Sequence, residues 1–235
     1  MNQMLHNIKK TSSELGIKDT LLYIFDRLLY KISFKTLILH KYYITQQPVS
    51  QDCLVPAGKG GDIEIAQIGP DHPLLQQMDR PFSVLQKRFA NGGHCFSARK
   101  GEQFAGNLWL NFDKYQEDEV RCTYVLQPKG QAAWDYDVFV LPKYRFSYVF
   151  AKLWDEANKV MRQRGIGHVY SRINYYNIAS LQAHKRLGSR IIGSLFFINL
   201  GRFQCAISLH FKPTLTFSLN RDVFPEVHIG ATEEH

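Results

Sequence analysis

Two carboxylates stand two residues apart in the strand-like run WDYDVFV at residues 134–140, beside apolar neighbours where charge has no packing role. Regular strand alternation would put Asp135 and Asp137 on one face, and acids held there can move protons. The plainer reading is a pair of carboxylates bonded to an adjacent basic strand or turn. The run continues into VLPKYRFSYVFAKL, residues 140–153, where Lys143, Arg145 and Lys152 gather round the expected start of a helix. Unpaired backbone N–H groups and the positive end of the helix dipole attract anions at such a place. A third candidate is His184 in NIASLQAHKRLG, residues 177–188, because an imidazole of unperturbed pKa about 6.5 serves as acid or base at neutral pH. In the same segment Asn177 is placed to cap the helix and Ser180 is small enough to allow close approach. The plain alternative for His184 is a helix histidine satisfied by a neighbour or by water.

These residues need a scaffold, and its order is legible. After a Pro- and Gly-rich stretch at 45–61, the chain reads as strand 62–69, helix 72–93, strand 94–100, a turn at Gly101, strand 104–112, strand 120–126 and strand 132–140. Val149, Leu153, Ala157 and Val160 then fall at helical spacing, closed by Gly165. Strand 168–173, helix 177–188 and strands 190–200 and 202–211 follow. Hairpins come first and β-α-β-α-β after, so the expected class is α/β, a mixed central sheet flanked by helices. The N-terminal part, residues 1–61, reads as an extension of helix, strand and linker, with the main domain at 62–212 and a C-terminal tail at 213–235. Within the extension, Leu21, Phe25, Leu28 and Ile32 define an amphipathic helix with Asp19 or Thr20 as its cap. Lys18, Arg27, Lys31 and Lys35 would let it lie on an anionic membrane surface, although most such helices pack on their own domain.

The chain of 235 residues has a net charge of +8, which attracts anionic partners without choosing among nucleic acid, acidic lipid, an acidic protein and a nucleotide cofactor. No nucleic-acid module is visible and acids interrupt most basic runs, so no nucleic-acid partner is expected. The four cysteines, Cys53, Cys95, Cys122 and Cys205, stand far apart with no C-x-x-C pair, and the nine histidines lack H-x3-H spacing, so no metal site is expected. The polar N-terminus and the absence of a long apolar run imply a cytoplasmic protein, with the helix at 19–35 leaving room for peripheral membrane contact.

Asn177, Ser180, His184 and Gly188, at offsets 0, 3, 7 and 11, resemble motif B of the GNAT superfamily of N-acyltransferases, with His at the usual Tyr position and Ser189 in place of Phe. Upstream, VFVLPKYR resembles the V-x-P-x-x-R entry to motif A, whose turn cradles the pyrophosphate of coenzyme A. The resemblance covers residues 62 to about 212. It implies a GNAT fold, direct attack of an amine on a thioester, and a donor lying along the strand of Val138, Phe139 and Val140. His184 would donate a proton to the leaving thiolate, Asp137 or Asp135 would act as base, and Asn177 and Ser180 would line the donor arm. The donor phosphates would meet Lys143, Arg145, Phe146, Ser147, Tyr148, Val149 and Phe150.

The family turn carries G-x-G-x-G/A at this point, and here every glycine is replaced. Three readings follow. The protein is an acyltransferase using acetyl-CoA or a longer acyl-CoA in an altered pose. It takes its acyl group from the phosphopantetheine arm of an acidic acyl carrier protein, which has no nucleotide to cradle and would suit Lys143, Arg145, Lys152, Lys159, Arg162 and Arg164. Or it keeps the fold only as an interaction module. The acceptor would be a small-molecule amine, and a free sheet edge would suit a homodimer.

Overall fold

The computed structural model describes residues 36–230, preceded by Thr20, Leu21, Ile24, Phe25, Ile32 and Ser33. The expected helix at 19–32 and its flanking cations Lys18, Arg27, Lys31 and Lys35 thus lie largely outside the described residues. No helix among the described residues is long and apolar enough to cross a membrane.

The chain is mixed α/β. Its strands are β1 Leu37–Pro48, β2 Glu64–Ile68, β3 His94–Lys100, β4 Gln103–Phe112, β5 Lys114–Gln116, β6 Thr123–Leu126, β7 Ala132–Val140, β8 His168–Asn174, β9 Arg190–Leu200, β10 Phe203–Ile207, β11 Leu215–Ser218 and β12 Glu226–Ile229. Within residues 36–230 the α-helices are α1 Phe82–Ala90, α2 Val149–Gln163 and α3 Ile178–Arg186, with two short 3-10 helices, η1 Pro73–Gln77 and η2 Pro142–Tyr144. Among the described residues, those up to 47 with 116–124 and 172–230 form one compact unit, and 48–115 with 125–171 form a second.

In the second unit β2, β3, β4 and β7 pair antiparallel in that order, and β8 joins β7 in parallel through Ala132–Asp135 and His168–Ser171. The sheet is therefore mixed. One face carries η1 and α1, with Ile68, Leu75, Leu85, Cys95, Phe104 and Trp109 packed together. The segment 72–93 does not make one helix: η1 ends at Gln77, where Met78 is extended, and a helix could not run on through Pro81, which lacks an N–H and whose ring restricts Arg80. Pro81 instead stands at the N-cap of α1. On the other face α2 packs on β3 and β4, burying Leu153, Trp154, Ala157 and Met161 at helical spacing. Gly165, at φ 72°, closes that helix in the left-handed region that glycine enters without a Cβ penalty.

Gly106 on β4 pairs with Val140, and a Cβ there would lie 2.5 Å from the Phe139 carbonyl oxygen and 3.1 Å from Val149 Cγ1. The backbone of β7 cannot give way as a flexible side chain could. Gly106→Ala should therefore destabilise by about 1–3 kcal/mol, read from the denaturant midpoint, whereas Gly69→Ala, with open space around it, should change little.

In the first unit β1, β9, β10 and β11 pair antiparallel in that order. Residues 45–48, read as the start of a linker, continue β1, since Thr45 and Gln46 pair with Ile191 and Arg190. The segment 213–235, read as a tail, contributes β11 and β12; residues 231–235 lie outside the description. The core of this unit is built on Tyr42, Ile44, Leu195, Phe197 and Phe211.

Candidate functional site

The strand-to-helix turn is where the sequence placed it. β7 hydrogen-bonds to β8 only as far as the Asp135 and Ser171 pair, so from Tyr136 to Val140 its described strand partner is β4 alone. Leu141 N–H still donates to the Ala105 carbonyl at 2.9 Å, which holds the chain straight until η2 turns it. Val138, Phe139 and Val140 thus present one backbone edge outside the ladder.

The turn itself is tied internally. Ser147 N–H donates to the Tyr144 carbonyl at 3.0 Å, Ser147 Oγ donates to the same oxygen at 2.7 Å, and Val149 N–H donates to Ser147 Oγ at 3.3 Å. Tyr148 caps α2 without a side-chain hydrogen bond. Lys143 Nζ donates to Gln103 Oε1 at 2.7 Å and lies 4.8 Å from the Tyr144 ring centre, while Lys152 Nζ is spent on the Ile63 carbonyl at 2.9 Å. Arg145 is exposed. The bulk that replaces the glycines is distributed unevenly: Phe146 is fully solvent-exposed, Tyr148 has its Cβ 3.2 Å from where a Gly60 Cβ would stand, and Phe150 packs on Trp154 at 6.4 Å.

The two carboxylates do not share a face. Trp109 pairs with Asp137 while Leu110, its neighbour on β4, pairs with Asp135, so Tyr136 is the extra residue of a bulge. Adjacent residues of β4 point to opposite faces, and their partners follow them. Asp135, buried, accepts from Ser171 Oγ at 3.1 Å. Asp137 faces α1, where its Oδ2 takes Arg88 Nη1 at 2.6 Å and lies 3.6 Å from Arg80 Nε. The Arg88 guanidinium also sits over the rings of Trp109 and Tyr136, at 5.3 and 5.2 Å. Sequence reading had no signal for Arg88, a basic residue in the last turn of a helix, where cations are common for dipole reasons alone.

The first unit holds the third set. Asn177 caps α3, its Oδ1 accepting from Ser180 N–H at 3.2 Å. His184 is 6% exposed, and its Nδ1 lies 2.9 Å from the Ser180 carbonyl oxygen, so Nδ1 carries the proton in that bond. Gly188 follows at φ 80°.

The same unit contains a charge cluster that the sequence did not announce. Arg172 donates through Nε and Nη2 to the two oxygens of Glu117, each at 2.8 Å, and through Nη1 to Glu119 at 3.1 Å. The Tyr42 hydroxyl donates to Glu119 Oε2 at 2.8 Å and lies 3.0 Å from His40 Nδ1, which must then be the donor in that bond. Burial pushes the Tyr42 hydroxyl well up, against the pull of Arg172. Burial also raises the Glu119 carboxyl, but Arg172 and the Tyr42 hydroxyl outweigh it and hold the group below the usual carboxylate range. Among the described residues no group of three His, Cys, Asp or Glu side chains is placed to hold a metal ion.

No protein-family model matches the sequence, and no curated protein matches it. Among solved structures the chain is similar to a conserved protein of unknown function from Staphylococcus epidermidis ATCC 12228, at TM-score 0.49 and 13% identity over 75% of this chain and 67% of that one. A tandem GNAT protein from the clavulanic acid biosynthesis pathway gives TM-score 0.48 and 14% identity over 69% of this chain, and the match spans 54% of that protein. An IAA acetyltransferase from Bacillus cereus ATCC 14579 gives TM-score 0.39 and 15% identity, over 53% of this chain and 74% of the other.

Proposed function

We propose that the protein is a GNAT-type N-acyltransferase, carried by residues 62–212, which moves an acyl group from a thioester donor to an amine. The observation that carries this reading is the one-sided pairing of β7 from Tyr136 to Val140, running directly into a cationic turn and the N-terminus of α2. A pantetheine arm is peptide-like and can add to such an edge, with its amides bonding the backbone around Val138 and Val140. The amine nitrogen attacks the thioester carbonyl carbon, the C–S bond breaks, the nitrogen loses a proton and the thiolate gains one. Oδ1 of Asp137 is the carboxylate atom suited to receive the amine proton, since both guanidinium contacts fall on Oδ2.

Acyl-CoA and the acyl-phosphopantetheine of a carrier protein share the arm and differ beyond it. The exposed Arg145 and Phe146 favour the carrier, whose acidic surface would meet the cation and whose protein body would cover the aromatic ring. Calorimetry with acetyl-CoA, a long-chain acyl-CoA and an acyl carrier protein tests both. Arg145→Glu should weaken the bound donor about tenfold, a loss in the range of one charge-assisted hydrogen bond, and leave stability unchanged because the side chain is exposed. Silence from all three donors would overturn the enzyme reading and leave an interaction module.

A further inference from the structure

We propose a second small-molecule site in the unit of residues 48–115 and 125–171: a cleft between η1 and strands β2 and β3 that binds a neutral, polyhydroxylated ligand of monosaccharide size. The cleft encloses about 450 Å³, within the range of small-molecule pockets. Its polar lining includes Ser97, His72, Arg99, Glu64 and Glu102, and Pro73 supplies an apolar wall.

Ser97 is the telling residue. It is 1% exposed, it lines the cleft, and its Oγ has no hydrogen-bond partner among the described residues. A hydroxyl buried without a partner is costly, so a ligand that bonds it would recover what folding leaves unsatisfied. Its registered neighbour on β4, Asn107, is also buried and has an unpartnered Nδ2. Asn107 pairs in turn with Phe139 on β7, which places the cleft two strands from the proposed donor edge, roughly 10 Å away at ordinary strand spacing.

The lining selects the ligand by its chemistry. His72 Nδ1 accepts from Leu74 N–H at 3.2 Å, so its Nε2 carries the proton and is a donor. Arg99 is held between Glu64, at 2.5 Å, and Glu102, at 3.4 Å, so donors and acceptors alternate along the rim. Hydroxyl groups both give and accept hydrogen bonds and can satisfy such a mixture, while the C–H face of a sugar ring suits the wall at Pro73. A hydrophobe would leave the polar groups desolvated and unpaired. An anion would meet two carboxylates against one guanidinium.

The test is ligand-observed saturation-transfer NMR on the full chain, with titrations of glucose, glucosamine and glucose 6-phosphate. Glucose and glucosamine should bind, and glucose 6-phosphate more weakly than either. Ser97→Ala should weaken glucose about tenfold, the loss of one hydrogen bond to a buried group, with a melting temperature equal to or above the parent's because an unsatisfied hydroxyl is gone. Arg99→Ala, at an exposed rim position, should weaken it as well. No signal from any of the three sugars, tightest binding by the phosphate, or equal affinity in the parent and both variants would overturn the proposal.

Discussion

Replacing Asp137 with alanine is expected to destabilise the protein by about 3–5 kcal/mol, the usual result of stranding one member of a buried ion pair. Arg88 is 9% exposed and Asp137 13% exposed, and the guanidinium meets the carboxylate at 2.6 Å beside the Trp109 and Tyr136 rings. Those rings favour the cation but do not neutralise it. Arg80 contacts the same carboxylate from an exposed position and contributes little. Asp137→Asn keeps an oxygen to accept the hydrogen bond and should lose about half as much. The double variant Arg88→Met with Asp137→Leu should recover most of the loss, because apolar groups of similar volume can replace a buried pair at little cost. Urea midpoints of the four proteins measure this directly. If Asp137→Ala were as stable as the parent, Arg88 would have found water and the burial argument would fail. Turnover tests the proposed base separately: an Asp137→Asn protein that stays folded yet loses acyl transfer would support that role.

The second large effect is expected at Glu117. Its side chain is 1% exposed and holds Arg172 bidentately, while its Oε1 also accepts from the N–H groups of Asp118 and Glu119, at 2.9 and 3.4 Å. Oε1 thus takes three donors and Oε2 one. Glu117→Ala should cost about 3–5 kcal/mol, leaving a buried guanidinium whose remaining contacts among the described residues include Glu119 and the Tyr42 ring, 4.3 Å from its Cζ. Glu117→Gln retains the backbone acceptor and should fall between the parent and the alanine variant. A double-mutant cycle with Arg172→Met gives the coupling, and a coupling near zero would show that the two side chains are stabilised independently.

Acid reports on the same cluster. The Glu119 carboxyl titrates lower in the folded chain than in the unfolded one, so the unfolded state binds more protons in that window. Its stabilisation is fully present above the unfolded value of about 4.3 and is lost as pH falls through the folded value. Glu119→Gln should therefore flatten the stability profile between pH 5 and the acid transition, by about the contribution of a partly exposed pair and no more.

The elements were readable wherever their signal is local. β3, β7 and β9 match the apolar runs bounded by turn residues, because a strand announces itself in neighbours one or two positions away. α2 and α3 were legible from spacing and from the residues at their ends, Asn177 and the glycines at 165 and 188. Pro81 shows the limit of period alone, since the helical pattern of 72–93 runs through a residue that cannot donate the hydrogen bond a helix needs there.

The candidate site divides along the same line. Val138 to Val140 and the turn through Phe150 were predicted as a strand running into a cationic helix start, and that much is determined by the order of residues. Which face Asp137 occupies was decided by a bulge at Tyr136, and its partner Arg88 stands 49 residues away. Glu117 and Arg172 are 55 residues apart, and nothing near either one marks the other. The unsatisfied hydroxyl of Ser97 is invisible in HCFSARK and becomes a feature only when η1 leaves a cleft above it. The physical reason is common to all three. Backbone geometry and alternation act between residues a few positions apart, whereas the partner of a buried charge or hydroxyl is chosen by chain closure and packing, which bring together segments whose local sequences carry no record of the meeting.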